Sequence, residues 1–565
     1  MASESHPARP ETAQTPRLAL VLHGHLPFVR HPELPQFHEE TWLFEAILEC
    51  YLPLLEVLEG WDRDSIPGQL TLSVSPTLAA MLGDAVLRER FHDYWARVRE
   101  LAQREELRAL FEPERRAVAA LHLERLERLG ERYQRLGGDL LTPFADCARR
   151  GRIELITCSA THATLPLLRH QPGCLRAQLE VALDAHARWT GTRPRGFWLP
   201  ECAWIPELGP HLAAAGIGWV IVETHGLMHA NPRPRQAIFA PVLTPDGVAV
   251  FGRDPASARQ VWSREGGYPG DPRYREFHHD VAHDAEWDYV RPYLHGAAGR
   301  AFTGLKFHRV TGAGREKEYY DRRQALEAAA EHAAHFVRER VRLGQSASQW
   351  MRIPPLFLAP YDAELFGHWW YEGPEFLDAV FRTVHASAGA LDLVTPSDHL
   401  REHPQLEVSQ PAASTWGEGG HFAIWLDDAN AWMQPLLRQA GTRFESLVRS
   451  FQSRSPQPTE ERLLRQAGRE LLLAQASDWP FLVKLNTAGT YPSRRFREHI
   501  EAFDQIARVL EQPSAPELPS WLPDLETRHN LFPDLNWRHW IPRTAVPQGP
   551  AGSPDRPASV ARTWE

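Results

Sequence analysis

Two carboxylates and a pair of histidines stand where chemistry is easiest to arrange. Glu201 lies in Gly196–Trp204 (GFWLPECAW), directly after an apolar run and between Trp198 and Trp204. A carboxylate set among indoles is costly unless it is paired or working. Asp362 lies in Ala359–Pro374 (APYDAELFGHWWYEGP), again just past an apolar run, with Glu364, His368, Trp369, Trp370 and Tyr371 close in sequence. Carboxylates at the ends of different strands of one sheet can face each other across a pocket. A separation of about 5–5.5 Å suits retaining glycoside hydrolysis. One attacks the anomeric carbon; the other protonates the leaving oxygen and later deprotonates the acceptor.

His23 and His25 are two residues apart, so in extended backbone both side chains project to one face. They suit either a metal ion or a polar ligand held by neutral donors. A metal needs a third ligand, and His162, after the run Ile153–Thr157, is placed to supply it.

The elements that carry these residues form a rhythm. Apolar runs at 18–22, 153–157, 196–199, 218–222, 355–359 and 391–394 alternate with helical stretches, which predicts a mostly parallel sheet. The polar residues fall just past each run, at the carboxyl ends where α/β folds place their chemistry. Residues 84–150 read as solvent-facing helix, and 228–300 as a long loop-bearing insertion over the active face. After about 405 the pattern becomes helical, with amphipathic stretches at 428–451, 459–476 and 494–511. The expected organisation is a disordered lead (1–16), a catalytic α/β domain (17–405), a helical C-terminal domain (406–541) and a disordered tail (542–565).

Composition bounds the rest. The 565 residues carry 62 basic and 72 acidic side chains, a weak acidic balance that argues against general nucleic-acid affinity. No apolar stretch is long enough to cross a membrane, and the polar N-terminus has no signal-peptide core. Five cysteines without a C-x-x-C pair suggest neither a zinc knuckle nor a disulfide framework, so a reduced, cytoplasmic protein is expected. Twenty tryptophans suit stacking on sugar faces, although large enzymes also bury tryptophan.

Taken together, HGHLPFV (23–29), GRIELITCSATHATLPLL (151–168), GFWLPECAW, APYDAELFGHWWYEGP and QASDWPF (475–481) resemble, in order, the sequence regions of glycoside hydrolase family 57. Within it TGLKFHRVTG, STWGEGGHFAIWL and SDWPFLVKLNTAGTYPSRRFREH look most like the 1,4-α-glucan branching enzymes. The resemblance implies an incomplete (β/α)7 barrel with helical insertions and a helical C-terminal domain closing the cleft. It implies Glu201 as nucleophile and Asp362 as general acid/base. Substrate contacts are implied for His23, His25, Trp42, His162, Trp416, Trp425 and Asp478, and expected for the neighbouring Trp198 and Trp479. The family uses no catalytic metal or other cofactor, which tips the histidine pair towards sugar binding. An α-glucan is the expected partner, and a monomer or homodimer the expected state.

Two stretches depart from the branching pattern. In PRPRQAIFAP (232–241), Gln236 and Phe239 occupy the places of a tyrosine on a mobile loop, and in DVAHD (280–284) His283 stands where an aromatic is expected. If that loop is a lid, losing its phenol weakens the exclusion of water and favours hydrolysis over transfer. The alternatives are therefore an α-amylase or 4-α-glucanotransferase in the same family, and, from other classes, a metal-dependent deacetylase or mannosidase-like hydrolase or a silent glucan-binding protein.

Overall fold

The computed structural model describes residues 14–263, 266–312, 316–512, 517–541 and 559–561. Its centre is a curled sheet built from β1 (Arg17–Gly24), β2 (Leu70–Val74), β3 (Ile153–Cys158), β4 (Gly196–Trp198), β5 (Trp219–Val222), β6 (Val242–Leu243), β7 (Ala249–Gly252) and β8 (Leu356–Asp362). Seven of these run parallel in the order β8-β1-β2-β3-β4-β5-β7, and β6 pairs antiparallel with β7. This is the incomplete (β/α)7 barrel. It stays open between β7 and β8, where one bond from Asp254 N–H to the Leu358 carbonyl (2.8 Å) spans the gap. Two short strands extend it, β9 (Asp392–Leu393) beside β1 and β10 (Gln405–Val408) beside β6.

Alternation along β1 explains how the strand aims its histidines. Leu18, Leu20 and Leu22 pack outward against the helices, while Ala19 and Val21 pack into the barrel interior with Ile156, Trp198, Ile221 and Phe251. His23 continues the inward series, and the parallel register sets it opposite Ser73 of β2 and Asp362 of β8.

Around the barrel run α1 (Ala85–Arg108) and α2 (Pro113–Arg135), an antiparallel hairpin in the stretch read as solvent-facing helix, then α3 (Pro172–Thr190), α4 (Arg322–Ala347) and α5 (Gly373–Ala386). The helical C-terminal region holds α6 (Met433–Ser450), α7 (Pro458–Ala474), α8 (Asp478–Leu485) and α9 (Tyr491–Leu510). Among the described residues no helix is long and apolar enough to cross a membrane.

Three expectations need correction. The stretch 228–300 is not only an insertion, because it contains β7, a strand of the barrel wall that is buried along its whole length. Residues 14–16 are tied down: the Gln14 amide donates to the Arg352 carbonyl and the Pro16 carbonyl accepts from Asp392. Residues 1–13 lie outside the described residues. Within the tail, Ser559–Ala561 forms a short strand antiparallel to β10; residues 542–558 and 562–565 lie outside the described residues.

The helical region is fastened to the barrel by a cap supplied in trans. Glu445 of α6 accepts from the first N–H groups of α3, Gly173 (2.8 Å) and Cys174 (3.2 Å), which have no acceptor within their own helix. Gly173 is needed there, since a Cβ would come within 2.4 Å of the Trp540 carbonyl. Glu445→Ala should cost about 1 kcal/mol, lowering the apparent melting temperature, with Glu445→Gln less affected. Unchanged melting of Glu445→Ala would show that this cap does not hold the two parts together.

Candidate active site

The first site residue owes its place to strained backbone. Glu201 follows β4 with φ 63° and ψ 20°, and Cys202 follows with φ 47°, both in the left-handed region that side chains other than glycine rarely adopt. Cys202 is thereby plugged into the barrel interior while Glu201 turns into the cleft. The strain is held by the segment after β10: Trp416 N–H donates to the Glu201 carbonyl (3.0 Å), and Trp204 and Ser414 exchange backbone hydrogen bonds. Such outliers persist only where the surroundings over-determine them.

Two donors converge on the Glu201 carboxylate. The Trp416 indole N–H reaches Oε2 at 2.8 Å and the Ser477 hydroxyl reaches Oε1 at 3.0 Å. Burial nevertheless pushes the carboxyl up to about 7, against the pull of Trp416 and Ser477. Asp362, ending β8, differs in kind. No donor among the described residues bonds its carboxyl, and burial, Glu364 and Glu201 push its proton affinity well above the usual range, with Arg253 opposing. One carboxylate has donors suited to its charged form; the other has surroundings suited to its neutral form. Two carboxyls so differently held are suited to different protonation states in one site.

The histidines form the floor. His23 Nδ1 meets Ser73 Oγ at 2.9 Å, and its Nε2 faces His162 Nε2 at 3.0 Å. His162, itself at φ 57°, meets Ser477 Oγ through Nδ1 at 2.7 Å. His25 meets Ser75 Oγ at 3.0 Å and Asp478 at 3.1 Å, and its ring stacks on His162 at 3.8 Å. Burial, then His25, holds His23 well below its ordinary value; burial, His25 and His23 do the same for His162. Both are neutral at pH 7. A third potential ligand, the Cys158 thiol, also lies near, but burial keeps it protonated. The geometry is that of imidazoles hydrogen-bonded to one another, to serines and to Asp478.

The remaining expected residues divide. Trp416 faces the site, with the Arg253 guanidinium over its ring at 5.4 Å, and Asp478 opens α8 beside His25. Trp42 is partly buried and meets Tyr491 edge-on at 6.1 Å. Trp198, Trp425 and Trp479 are fully buried, so stacking on a sugar is not open to them. Trp198 lies under the floor, parallel to His23 at 4.4 Å. Trp425 lies beneath the loop that carries Trp416, where a Cβ on Gly417 would meet it at 2.8 Å. Trp479 donates to the Leu473 carbonyl inside the helical region.

The lid is a further correction. Phe239 packs on Phe357 and Trp350, and its carbonyl accepts from Leu356 N–H, the first residue of β8. Phe357 faces the outer helices, so Phe239 lies outside the wall, about 20 Å down the strand from Asp362. Gln236 belongs to the same turn, closed by Phe239 N–H on the Gln236 carbonyl. His283 is a capping residue: its Nδ1 accepts from the Asp280 N–H and its ring stacks on His279. None of the three contacts Glu201 or Asp362.

Sequence reasoning did not single out Ser477, Ser73 or Arg253. Glu364, noted there only as a neighbour of Asp362, accepts from the His25 N–H and the Tyr51 hydroxyl. Trp369, half-exposed on the loop after β8, sits 6.1 Å from Trp262.

This geometry has relatives. The model of glycosyl hydrolase family 57 matches residues 19–411, and that of the 1,4-alpha-glucan branching enzyme, C-terminal, matches residues 436–540. A 1,4-alpha-glucan branching enzyme of Thermococcus kodakarensis is 31% identical over 87% of this chain and 73% of its own length. A probable 1,4-alpha-glucan branching enzyme of Mycobacterium tuberculosis is 31% identical over 87% and 91%. Among solved structures, an alpha-amylase of Thermotoga maritima superposes with a TM-score of 0.87 at 36% identity, covering 94% of this chain and 100% of that one. A GH57-type branching enzyme of Pyrococcus horikoshii superposes at 0.84 and 30% identity, covering 95% and 98%. With residues 19–411 matching that family and the relatives covering 87% of its length, the chain belongs to glycosyl hydrolase family 57.

Proposed function

We propose that this chain is a retaining 1,4-α-glucan branching enzyme, with Glu201 as nucleophile and Asp362 as general acid and base. The observation that carries the chemistry is the unequal treatment of the two carboxylates; the match of residues 436–540 to a branching-enzyme C-terminal region carries the choice of activity. Asp362, neutral, protonates the leaving oxygen as Glu201 Oε1 or Oε2 attacks the anomeric carbon. The covalent glucosyl ester is then opened by a 6-hydroxyl of a second chain, whose proton passes to Asp362. His25, held by Ser75 and Asp478, borders the cleft that receives the sugar, and the buried pair His23 and His162 supports the floor beneath it.

Water competes for the ester, and about 1.4 kcal/mol between the two barriers changes the partition tenfold. A second reading, α-amylase activity, is favoured by the close likeness to the Thermotoga maritima amylase. Incubation with amylose followed by proton NMR separates them. Branching yields α-1,6 signals without a matching rise in reducing ends, and a rise in reducing ends alone would overturn the branching assignment.

Glu201→Gln should lose both cleavage and transfer, at least 10³-fold, while still binding glucan, because no ester can form. Substantial turnover by this variant would remove Glu201 from the role. Asp362→Asn should be similarly impaired on glucans but far less so in ester formation from a substrate with a good leaving group; equal loss on both would make Asp362 structural.

The acid limb of kcat/KM should fall near pH 7, where Glu201 takes up a proton. Trp416→Phe removes a donor from the charged form, so the proton is held more tightly and the limb moves to higher pH, by about one unit. A limb that stays in place or moves to lower pH would show that another group sets it.

A further inference from the structure

Four hydrogen bonds join a serine of β2 to the carboxylate of Glu201. They run Ser73 Oγ to His23 Nδ1 (2.9 Å), His23 Nε2 to His162 Nε2 (3.0 Å), His162 Nδ1 to Ser477 Oγ (2.7 Å), and Ser477 Oγ to Glu201 Oε1 (3.0 Å). Every member except Glu201 is nine-tenths buried or more, so water does not relax the pattern.

Proton counting leaves one arrangement. An ionised carboxylate only accepts, so the Ser477 hydroxyl must donate to it. Its single hydrogen is then spent, and the contact with His162 requires the Nδ1–H of that imidazole to donate to Ser477. A neutral imidazole carries one N–H, which leaves His162 Nε2 bare. His23 must therefore present Nε2–H, and its bare Nδ1 accepts from the Ser73 hydroxyl. The opposite direction turns the oxygen lone pairs of Ser477 on Glu201 and is satisfied only if Glu201 is protonated.

We propose that Ser477 is a positioning residue for the nucleophile, and that Ser73 and the His23–His162 pair act through it by fixing the His162 tautomer that leaves the Ser477 hydroxyl free to donate to Glu201. The proposal rests on Glu201 being the nucleophile. It adds that the ionised form of Glu201 is held by a tautomer chosen on another strand. Two elements supply the parts: β1 and β2 bring Ser73 and His23 into register, and the turn that opens α8 brings Ser477 across from the helical region. The backbone reinforces the crossing, with Ser477 N–H donating to the His162 carbonyl at 3.1 Å.

Other groups also face Glu201. Trp416 donates to Oε2 from the segment after β10. His25 of the β1 turn and Asp478 of α8 lie on the floor. Asp362 and Glu364 stand at the end of β8, and Arg253, paired with Glu223, stands after β7. None of them touches Oε1, so a change at Ser477 is read separately from theirs.

The test uses the full chain. Ser477→Ala removes no helix cap, since the Ser477 side chain makes no capping bond to α8. It should move the acid limb of kcat/KM to higher pH by about one unit and lower kcat about tenfold with KM little changed. Ser477→Thr keeps the hydroxyl and should restore both. In histidine labelled with ¹⁵N, His162 should show the shifts of the Nδ1–H tautomer and His23 those of the Nε2–H tautomer above the limb, and Ser477→Ala should move the His162 shifts away from the pure Nδ1–H form. The proposal is overturned if the Ser477→Ala limb coincides with that of the parent, if Ser477→Thr fails to restore it, or if His162 is the Nε2–H tautomer in the ionised enzyme. The tautomers are read without turnover, so failure here is distinct from an active Glu201→Gln, which would sink the nucleophile assignment itself.

Discussion

The carboxyl face is organised around a charge that burial resists. Left alone, a carboxylate enclosed as Glu201 is would take a proton and lose the charge that the proposed nucleophile needs. The indole of Trp416 and the hydroxyl of Ser477 oppose that, and both come from outside the barrel strands. The left-handed turn at Glu201 and Cys202 makes sense in the same terms: it presents the carboxylate to donors arriving from two directions while filling the barrel beneath with sulfur. Asp362, seven residues into a straight strand, needs no such turn and receives no such donors. The difference in proton affinity is thus a product of topology.

Much of this was legible in the residues. Short apolar runs followed at once by polar residues gave away the strands and the ends that matter, because a strand buried on both faces must be nearly all apolar. Residues 18–22 are apolar throughout, so which way His23 faces is read from the packing and not from the residues. Other parts were hidden for physical reasons. β7 is four residues long in a stretch rich in proline and glycine, too short for a periodic signal. Ser477 carries no pattern of its own; its role depends on a fold that brings α8 to the first strand. The tryptophans misled in one direction, because side-chain type does not report depth, and Trp198, Trp425 and Trp479 are core. The prolines around Gln236 restrict local backbone, but nothing in local backbone says which side of a barrel wall a turn will rest on.

The site is shared between two parts of the chain. β1 to β4 bring the histidines and Glu201, while Ser477 and Asp478 arrive with the helical region, which is pinned to α3 by Glu445. Neither part holds a finished site. The bond from the Thr161 hydroxyl to the Leu472 carbonyl and the bridge between Ala163 and Ala476 lie on this seam, next to His162. Stability of the seam and the setting of the Glu201 carboxylate are therefore one property, and loosening the first unsettles the second.

The turn at 234–239 has a different consequence once it is seen outside the wall. An unclosed barrel leaves the margin of β8 with ladder groups that a foreign strand would gladly complete, a known route to self-association. The Phe239 carbonyl takes the first of these, the Leu356 N–H, and its ring covers Phe357. Asp254 takes another further along, through the Leu358 carbonyl. The segment that resembles a lid by its sequence thus works as a hem along an open margin. Its loss would be felt in solubility and shelf life before it was felt in the products of the reaction.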